Sequence, residues 1–389
     1  MMKKKKNIPA GMSFRIYASA WVSAMRTAAK AVISKPVLPQ LENIRVSIKD
    51  LDLRAEAGDT ETWISVGREL VEGGYQGAFL VPAKFSFAPF AELGNTVLTF
   101  SVQGGSSLAV EWRGGMVTIP IFEDAEWPGL PVVDEKQYNS GAVGAGDLSA
   151  ALAMSDYAVA RDETRPILSG MLFDFLGYCS GLQVVATDAH RLVSVTIPSA
   201  TSSSAFSLIV PRRSVQMLKA LISIGETISV TTDKSHARFA LREDGSLTLT
   251  VRLMEGVYPN WRSIIPRDTL MEAQVSVSEL TPAIERAAAC TSADGFVRMS
   301  FSPLSLALSA QDLGYQTYGE MELPCSFDGQ PFDFGIRAAH LADLVEKMPG
   351  KILRMRFTDA SKAVLVRDAE EDEEKVHVMT IIMPVMLNS

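Results

Sequence analysis

Short helical patterns recur along these 389 residues, each led in by a strand and succeeded by several more strands. The first helices of successive rounds open near Ala20, Leu148 and Glu279, and the second helices near Ala83, Arg212 and Arg337. Corresponding elements therefore lie roughly 125 to 131 residues apart, the length of a domain and far longer than a solenoid repeat. Within each round the order is strand, helix, antiparallel strands, written twice. A helix with one apolar face must cover something, and each time the next strands supply a sheet for it to cover. The expectation is an α+β chain of three similar domains, each with a doubled internal unit. Boundaries fall at 14–134, 135–268 and 269–389, after a basic leader at 1–13.

Local signals fill in the rounds. Trp21, Ala24, Met25, Ala28 and Val32 make one helical face after the strand Phe14 to Tyr17, with Ser19 expected as the cap. Pro82 is expected in the first turn of the second helix. Asp147 is expected to cap the third helix and Ser278 the fifth. Gly104-Gly105 and Gly114-Gly115 read as hairpin turns. The run Asp368 to Glu374 holds six carboxylates in seven residues. It lacks the alternating ligands and glycine of a calcium loop and reads as a solvated turn between strands.

Composition narrows the class. With 47% apolar and 21% charged residues the chain is of ordinary folded type, and its net charge of -8 gives a nucleic-acid partner no bulk support. Cys179, Cys290 and Cys325 form no CxxC pair, which suits a reducing cytoplasm. The opening MMKKKKNIP has no apolar core after its lysines, as a signal peptide requires, and reads as a solvated leader. No apolar run reaches the length of a membrane span.

The densest polar stretch is GLQVVATDAHRLVSVTIP, Gly181 to Pro198. Leu182 to Ala186 and Val193 to Ile197 read as a hairpin around Thr187-Asp188-Ala189-His190-Arg191. Asp188 and His190 alternate as metal ligands could, and Ser194 would complete a triad by residue type alone. No HExxH, nucleophile elbow or phosphate-cradling glycine loop accompanies them. The turn reading is favoured: Asp188 caps backbone amides, His190 is half-packed, and Arg191 holds a carboxylate or carbonyl. No catalytic residue, metal or cofactor is expected.

Five segments in order resemble the bacterial DNA polymerase III beta subunit family, the sliding clamps or processivity factors. They are LSGMLFDF (168–175), VATDAHRL (185–192), IVPRRSVQMLKAL (209–221), EGVYPNWRSIIP (255–266) and IIMPVML (381–387). The resemblance runs from about Phe14 to Leu387 and is weakest in the first domain. It implies a DNA clamp fold: a head-to-tail homodimeric ring with helices lining a channel around double-stranded DNA and sheets outside. Such a clamp is no enzyme. It tethers the DNA polymerase III catalytic subunit, is opened by a clamp loader, and serves other proteins with clamp-binding motifs in the cytoplasm, at the nucleoid.

By the same resemblance a partner-peptide groove falls on Leu168, Thr187, Ala189, His190, Arg191, Leu192, Pro259 and Ile264. The closing run Ile381, Ile382, Met383, Pro384, Val385, Met386 and Leu387 joins them. Apolar side chains with adaptable methionines suit a leucine or aromatic anchor. Lys35 and Arg213 match basic DNA-side positions, with Arg165, Arg212 and Lys219 nearby. Three departures stand out: Ala189 replaces a glycine, while Met386 and Ser263 replace arginines. The alternative reading is a clamp-fold interaction module, or a mobile-element variant, that does not productively encircle DNA.

Overall fold

The computed structural model describes residues 13–133, 139–162, 164–177, 181–291, 295–312 and 314–386. Most of the basic leader, Cys179 and Leu387 lie outside the described residues. The first third carries β1 (Ser13–Tyr17), α1 (Ala18–Ala29), β2 (Asn43–Lys49), β3 (Asp52–Gly58) and β4 (Thr62–Glu69), then β5 (Gly77–Pro82), α2 (Ala83–Ser86), β6 (Val97–Gln103), β7 (Ser107–Trp112) and β8 (Gly115–Pro120). The central third carries β9 (Asn139–Gly144), α3 (Ala145–Ser155), β10 (Gly170–Leu176), β11 (Leu182–Thr187) and β12 (Arg191–Ile197), then β13 (Thr201–Ser202), β14 (Ala205–Pro211), α4 (Arg212–Leu221), β15 (Thr227–Thr232), β16 (His236–Ala240) and β17 (Leu247–Arg252). The last third carries β18 (Met271–Ser276), α5 (Val277–Ala288), β19 (Phe296–Phe301), β20 (Ser305–Asp312) and β21 (Thr317–Pro324), then β22 (Ser326–Asp328), β23 (Phe332–Arg337), α6 (Ala338–Lys347), β24 (Ile352–Phe357), β25 (Val364–Asp368) and β26 (His377–Ile382).

The doubled units are interlocked rather than stacked. In each third, the leading strand of one half pairs with the first strand after the other half's helix: β1 with β6 and β5 with β2, β9 with β15 and β14 with β10, β18 with β24 and β23 with β19. Neither half therefore has a complete sheet of its own. This is why the half-repeats are legible in sequence but cannot be separate domains.

Main-chain contacts also explain why three expected caps are absent. The helices start directly from the preceding strand, and their first amides donate to carbonyls brought by the opposite half. Ala18 N reaches Thr96 O at 2.8 Å, Ala145 N reaches Glu226 O at 2.9 Å and Val277 N reaches Lys351 O at 2.9 Å. One orphan amide of the first turn is satisfied this way without a side-chain cap. Ser19 lies inside α1 and bonds Asn95, Asp147 lies inside α3 and accepts from Ser199 Oγ, and Ser278 lies inside α5 against Ser276. Pro82 is the residue just before α2, not its first turn.

The chain folds into two compact units, Met1–Ala145 with Gln216–Leu253, and Gly146–Val215 with Met254–Ser389. In the first, one sheet runs β9-β15-β16-β17-β4-β3-β2-β5 and a second runs β1-β6-β7-β8. Trp21 on α1 is fully buried and donates its indole N–H to Ser86 O at 2.6 Å, while Phe14 stacks on Phe100. In the second, a nine-stranded sheet runs β14-β10-β11-β12-β26-β25-β24-β18-β22 beside a four-stranded one, β21-β20-β19-β23. Phe301, Phe334 and Phe357 pack in its core.

Each unit thus owes its long sheet to one joint between thirds of the chain. In the first unit β17 pairs with β4, setting Thr250 opposite Trp63 and Thr248 opposite Ser65. In the second β26 pairs with β12, setting Ile381 opposite Leu192 and Met379 opposite Ser194. In both, the last strand of a third's first half meets the last strand of the next third's second half, in the same register.

Candidate functional site

The polar run in the β11–β12 turn is one copy of a repeated device. Asp188 Oδ1 accepts the amides of His190 and Arg191, both at 2.9 Å. Asp59 does the same for Glu61 and Thr62, Asp233 for Ser235 and His236, and Asp312 for Gly314 and Tyr315. A carboxylate that turns the chain by accepting the next amides needs no chemistry to justify it. Thr187 Oγ1 completes the turn, donating to Arg191 O at 2.7 Å and accepting from Ala189 N at 3.1 Å. Among the described residues no group of three or more histidine, cysteine or acidic side chains could hold a metal ion.

What singles out this copy is Arg191. Its side chain is 10% exposed. Nε pairs with Asp188 Oδ2 at 3.0 Å, Nη1 with Asp343 Oδ2 at 2.6 Å, and Nη2 donates to Tyr157 O at 2.8 Å. The guanidinium also lies 4.9 Å from the Tyr157 ring centroid. One side chain therefore ties the turn to α6 and to the 3-10 turn Asp156–Ala158. Burial pushes the Tyr157 hydroxyl up to about 12.

The turn carries backbone strain. Ala189 has φ of +73°, in the left-handed region that glycine occupies at no steric cost.

The floor beside the turn is apolar. Val185, Leu192, Leu365, Met379 and Ile381 form a buried cluster with Leu172, Tyr258 and Trp261, and Ile265 packs against it. The segment after β17 supplies one wall, where Pro259 is exposed and Ile264 is 48% exposed. Leu168 and Thr187 are buried and His190 is exposed. The tail comes beside the turn: Met383 N donates to His190 O at 2.8 Å and Val385 N to Gly335 O at 2.8 Å. Met383 and Met386 are exposed, while Pro384 and Val385 are half-buried. Ile382 does not join the wall, because strand alternation turns it to the face opposite Ile381. The same floor continues along the strands into a cleft of about 580 Å³, lined by Ser194, Thr196, Trp261, Arg262 and Met379.

The tail's path is itself a repeat. At the end of β17, Arg252 N donates to Glu61 O at 2.7 Å in the first unit; in the second, Met254 N donates to Ile209 O at 3.0 Å. After β8, Phe122 N donates to Leu80 O at 3.0 Å. Leu80, Ile209 and Gly335 each stand two residues before the end of β5, β14 and β23. The apolar ending thus docks where the links between thirds dock.

The basic positions are dispersed. Lys35 is exposed in the loop after α1 with φ of +56°, and Arg165 is exposed before the 3-10 turn Pro166–Ser169. Arg212, Arg213 and Lys219 lie along α4. Arg26 lies on the exposed face of α1 and Lys30 directly follows that helix, four residues on, a spacing legible in the sequence. Lys30 Nζ donates to Ala220 O at 2.9 Å, and Arg68 donates to Ser23 Oγ of the same helix at 3.0 Å.

His340, at the rim, lies 6.1 Å from His190 between ring centroids. Burial, then the charge of Arg191, pushes it from the usual 6.5 down to about 4, with Arg337 and His190 adding to this and Asp188 opposing. The unfolded chain therefore binds the extra proton first as pH falls, so stability is lost between about 6.5 and 4. His340→Gln should flatten the fall of the urea midpoint over that window, and an unchanged slope would remove His340 from the account. Ala189→Gly should raise stability by about 0.5 to 1 kcal/mol, relief of left-handed strain exceeding the added chain entropy. Chemical denaturation checks this, and a destabilised glycine variant would mean the turn is not strained.

Family models for the DNA polymerase III beta subunit match this chain three times in order: the N-terminal domain at residues 12–131, the central domain at 144–260 and the C-terminal domain at 262–385. Beta sliding clamps are similar along nearly the whole length. That of Vibrio cholerae is 23% identical, covering 97% of this chain and 100% of the relative; that of Synechococcus elongatus is 26% identical, covering 94% and 97%. The Pseudomonas aeruginosa DnaN sliding clamp bound to griselimycin superposes with a TM-score of 0.88 at 22% identity, over 97% of this chain and 100% of that one. The Bacillus subtilis sliding clamp gives 0.85 at 21% identity, with the same coverage. No described helix is long and apolar enough to cross a membrane. With the three models falling in order over most of its length, this chain belongs to the bacterial DNA polymerase III beta subunit family.

Proposed function

We propose that this chain is a DNA sliding clamp: a head-to-tail homodimer that closes around duplex DNA and tethers the replicative polymerase. One observation carries the closure. Two of the three places where thirds of the chain can meet are filled by the same pairing, β4 with β17 and β12 with β26. The third pair under that rule is β21 with β8, and both end their sheets within the chain. A second copy supplies the missing partner, and two such joints close a ring of six similar domains. A head-to-tail contact that did not close would give filaments instead. The alternative, a clamp-fold module that does not encircle DNA, leaves both edges unpaired and open to aggregation.

Within this reading the three domains follow the boundaries 14–134, 135–268 and 269–389. Arg165, Arg212, Arg213, Lys219 and Lys35 belong to the DNA side, joined by Arg26 and Lys30. A net charge of -8 fits enclosure, since a ring needs only its inner face positive. The groove at the β12–β26 joint takes the apolar motif of the DNA polymerase III catalytic subunit, the clamp loader and other clamp-binding proteins in turn. The protein works as a non-catalytic processivity subunit in the cytoplasm, at the nucleoid.

Light scattering should give twice 42.2 kDa. Applying the shared register to the third joint sets Thr118 opposite Tyr318 of a second copy, at the Cα separation of an antiparallel pair, which a disulfide can bridge. Thr118→Cys combined with Tyr318→Cys should therefore yield a covalent dimer on mild oxidation, and neither single variant should. A monomer at micromolar concentration with no cross-link would sink the ring. Deleting residues 386–389 should weaken a leucine- and phenylalanine-containing polymerase tail at least about tenfold, roughly 1.4 kcal/mol, while leaving the dimer mass unchanged. Equal affinity for the truncated chain would show the groove to be wrongly placed.

A further inference from the structure

The two joints within the chain carry corresponding clefts whose floors differ in chemistry. At the β12–β26 joint the floor is Val185, Leu192, Leu365, Met379 and Ile381. The shared register identifies the corresponding positions at the β4–β17 joint as Glu56, Trp63, Arg238, Thr248 and Thr250. There the segment after β8, including Leu130 and Val132, walls a cleft of about 700 Å³. This is the position that Trp261 and Ile265 take at the other joint.

The floor of this cleft is polar and unfilled by the protein's own groups. Ser65, Thr248 and Thr250 are 5%, 4% and 4% exposed. Their hydroxyls have no hydrogen-bond partner among the described residues, yet all three line the cleft. Glu56 is neutralised by Arg45 at 2.7 Å, and Arg45 is held in turn by Asp124. Among the charged residues that line the cleft, Arg54 and Arg238 outnumber Glu56. Arg54 lies on the rim with only an exposed partner, Asp52 at 3.2 Å. Arg238 is exposed and stands between Thr231 and Thr250 in register. Val132, 85% exposed, offers one apolar contact at the wall.

We propose that this cleft is a second docking site, taking an extended partner peptide with carboxylate side chains. Arg54 and Arg238 receive the carboxylates, and the serine and threonine hydroxyls bond the peptide backbone. The two joints then sort partners by floor chemistry: apolar anchors at β12–β26, acidic segments at β4–β17. The proposal leans on the groove reading of the first joint only for the analogy; the hydroxyl floor and the arginines stand without it.

The test uses the full chain and a fluorescein-labelled peptide of alternating aspartate and serine, read by anisotropy at fixed salt. The same peptide with lysine for aspartate should bind at least about fivefold more weakly. Arg54→Ala with Arg238→Ala should cost about fivefold. Thr248→Val with Thr250→Val, which changes no charge and keeps the β-branched shape, should cost about threefold or more. Deleting residues 386–389 should leave this binding unchanged while weakening the polymerase tail, so failure of one site is separable from failure of the other. Loss with the arginine variant but none with the valine variant would mean diffuse attraction outside the cleft, and would overturn the proposal. So would equal binding of the aspartate and lysine peptides.

Discussion

The pairing of β12 with β26 is the constraint on which the rest of this site depends. Without it Leu192 and Ile381 would be edge side chains on two small sheets, each exposed to water. Joined in register, they become the centre of a buried cluster that Tyr258 and Trp261 cover from one side. Fully burying a leucine or isoleucine stabilises by about 1.5 to 3 kcal/mol. The same pairing brings Met383 to the carbonyl of His190, so the tail is delivered to the turn by the strand that precedes it. Floor, turn and tail are consequences of one ladder.

Arg191 then fixes the turn to the remainder of the unit. A guanidinium that is nearly buried, paired with two carboxylates and a carbonyl, has fixed geometry and little freedom left to lose. Its role is architectural, and that resolves the ambiguity of the most chemical-looking stretch of the chain. Both oxygens of Asp188 are committed, one to two amides and one to Arg191. The repeated aspartate turns at 59, 233 and 312 show the device working with no arginine in the turn.

The repeat, the helices and most strands were legible in the sequence, because periodicity and prolines are local signals. The turn reading of Asp188 was legible too, since an aspartate two residues before the amides it accepts is a short-range pattern. The caps were not. Ser19, Asp147 and Ser278 are reasonable capping residues, but the helices begin before them, at amides held by carbonyls distant in sequence. Thr96 serves Ala18 and Lys351 serves Val277. The exchange of leading strands between half-units was equally invisible, because pairing partners lie about 30 to 90 residues apart and no local pattern encodes them. Ile382 was misplaced for a simpler reason: a motif carried over as a run ignores that alternate residues of a strand face opposite ways.

Pseudo-symmetry of this kind frees each joint to change its function. The backbone ladder needs only strands of matching register, so side chains on the open face are not fixed by the pairing. One joint has filled that face with leucine, isoleucine and methionine, and its covering segment contributes Trp261. The other holds Glu56, Trp63, Arg238, Thr248 and Thr250 in the same positions, and its covering segment contributes Val132. An apolar floor attracts through area and is not screened by salt, whereas a hydroxyl and guanidinium floor attracts through directed bonds and weakens as salt screens it. Two joints that share one strand register are therefore free to differ in the chemistry of partner each would favour.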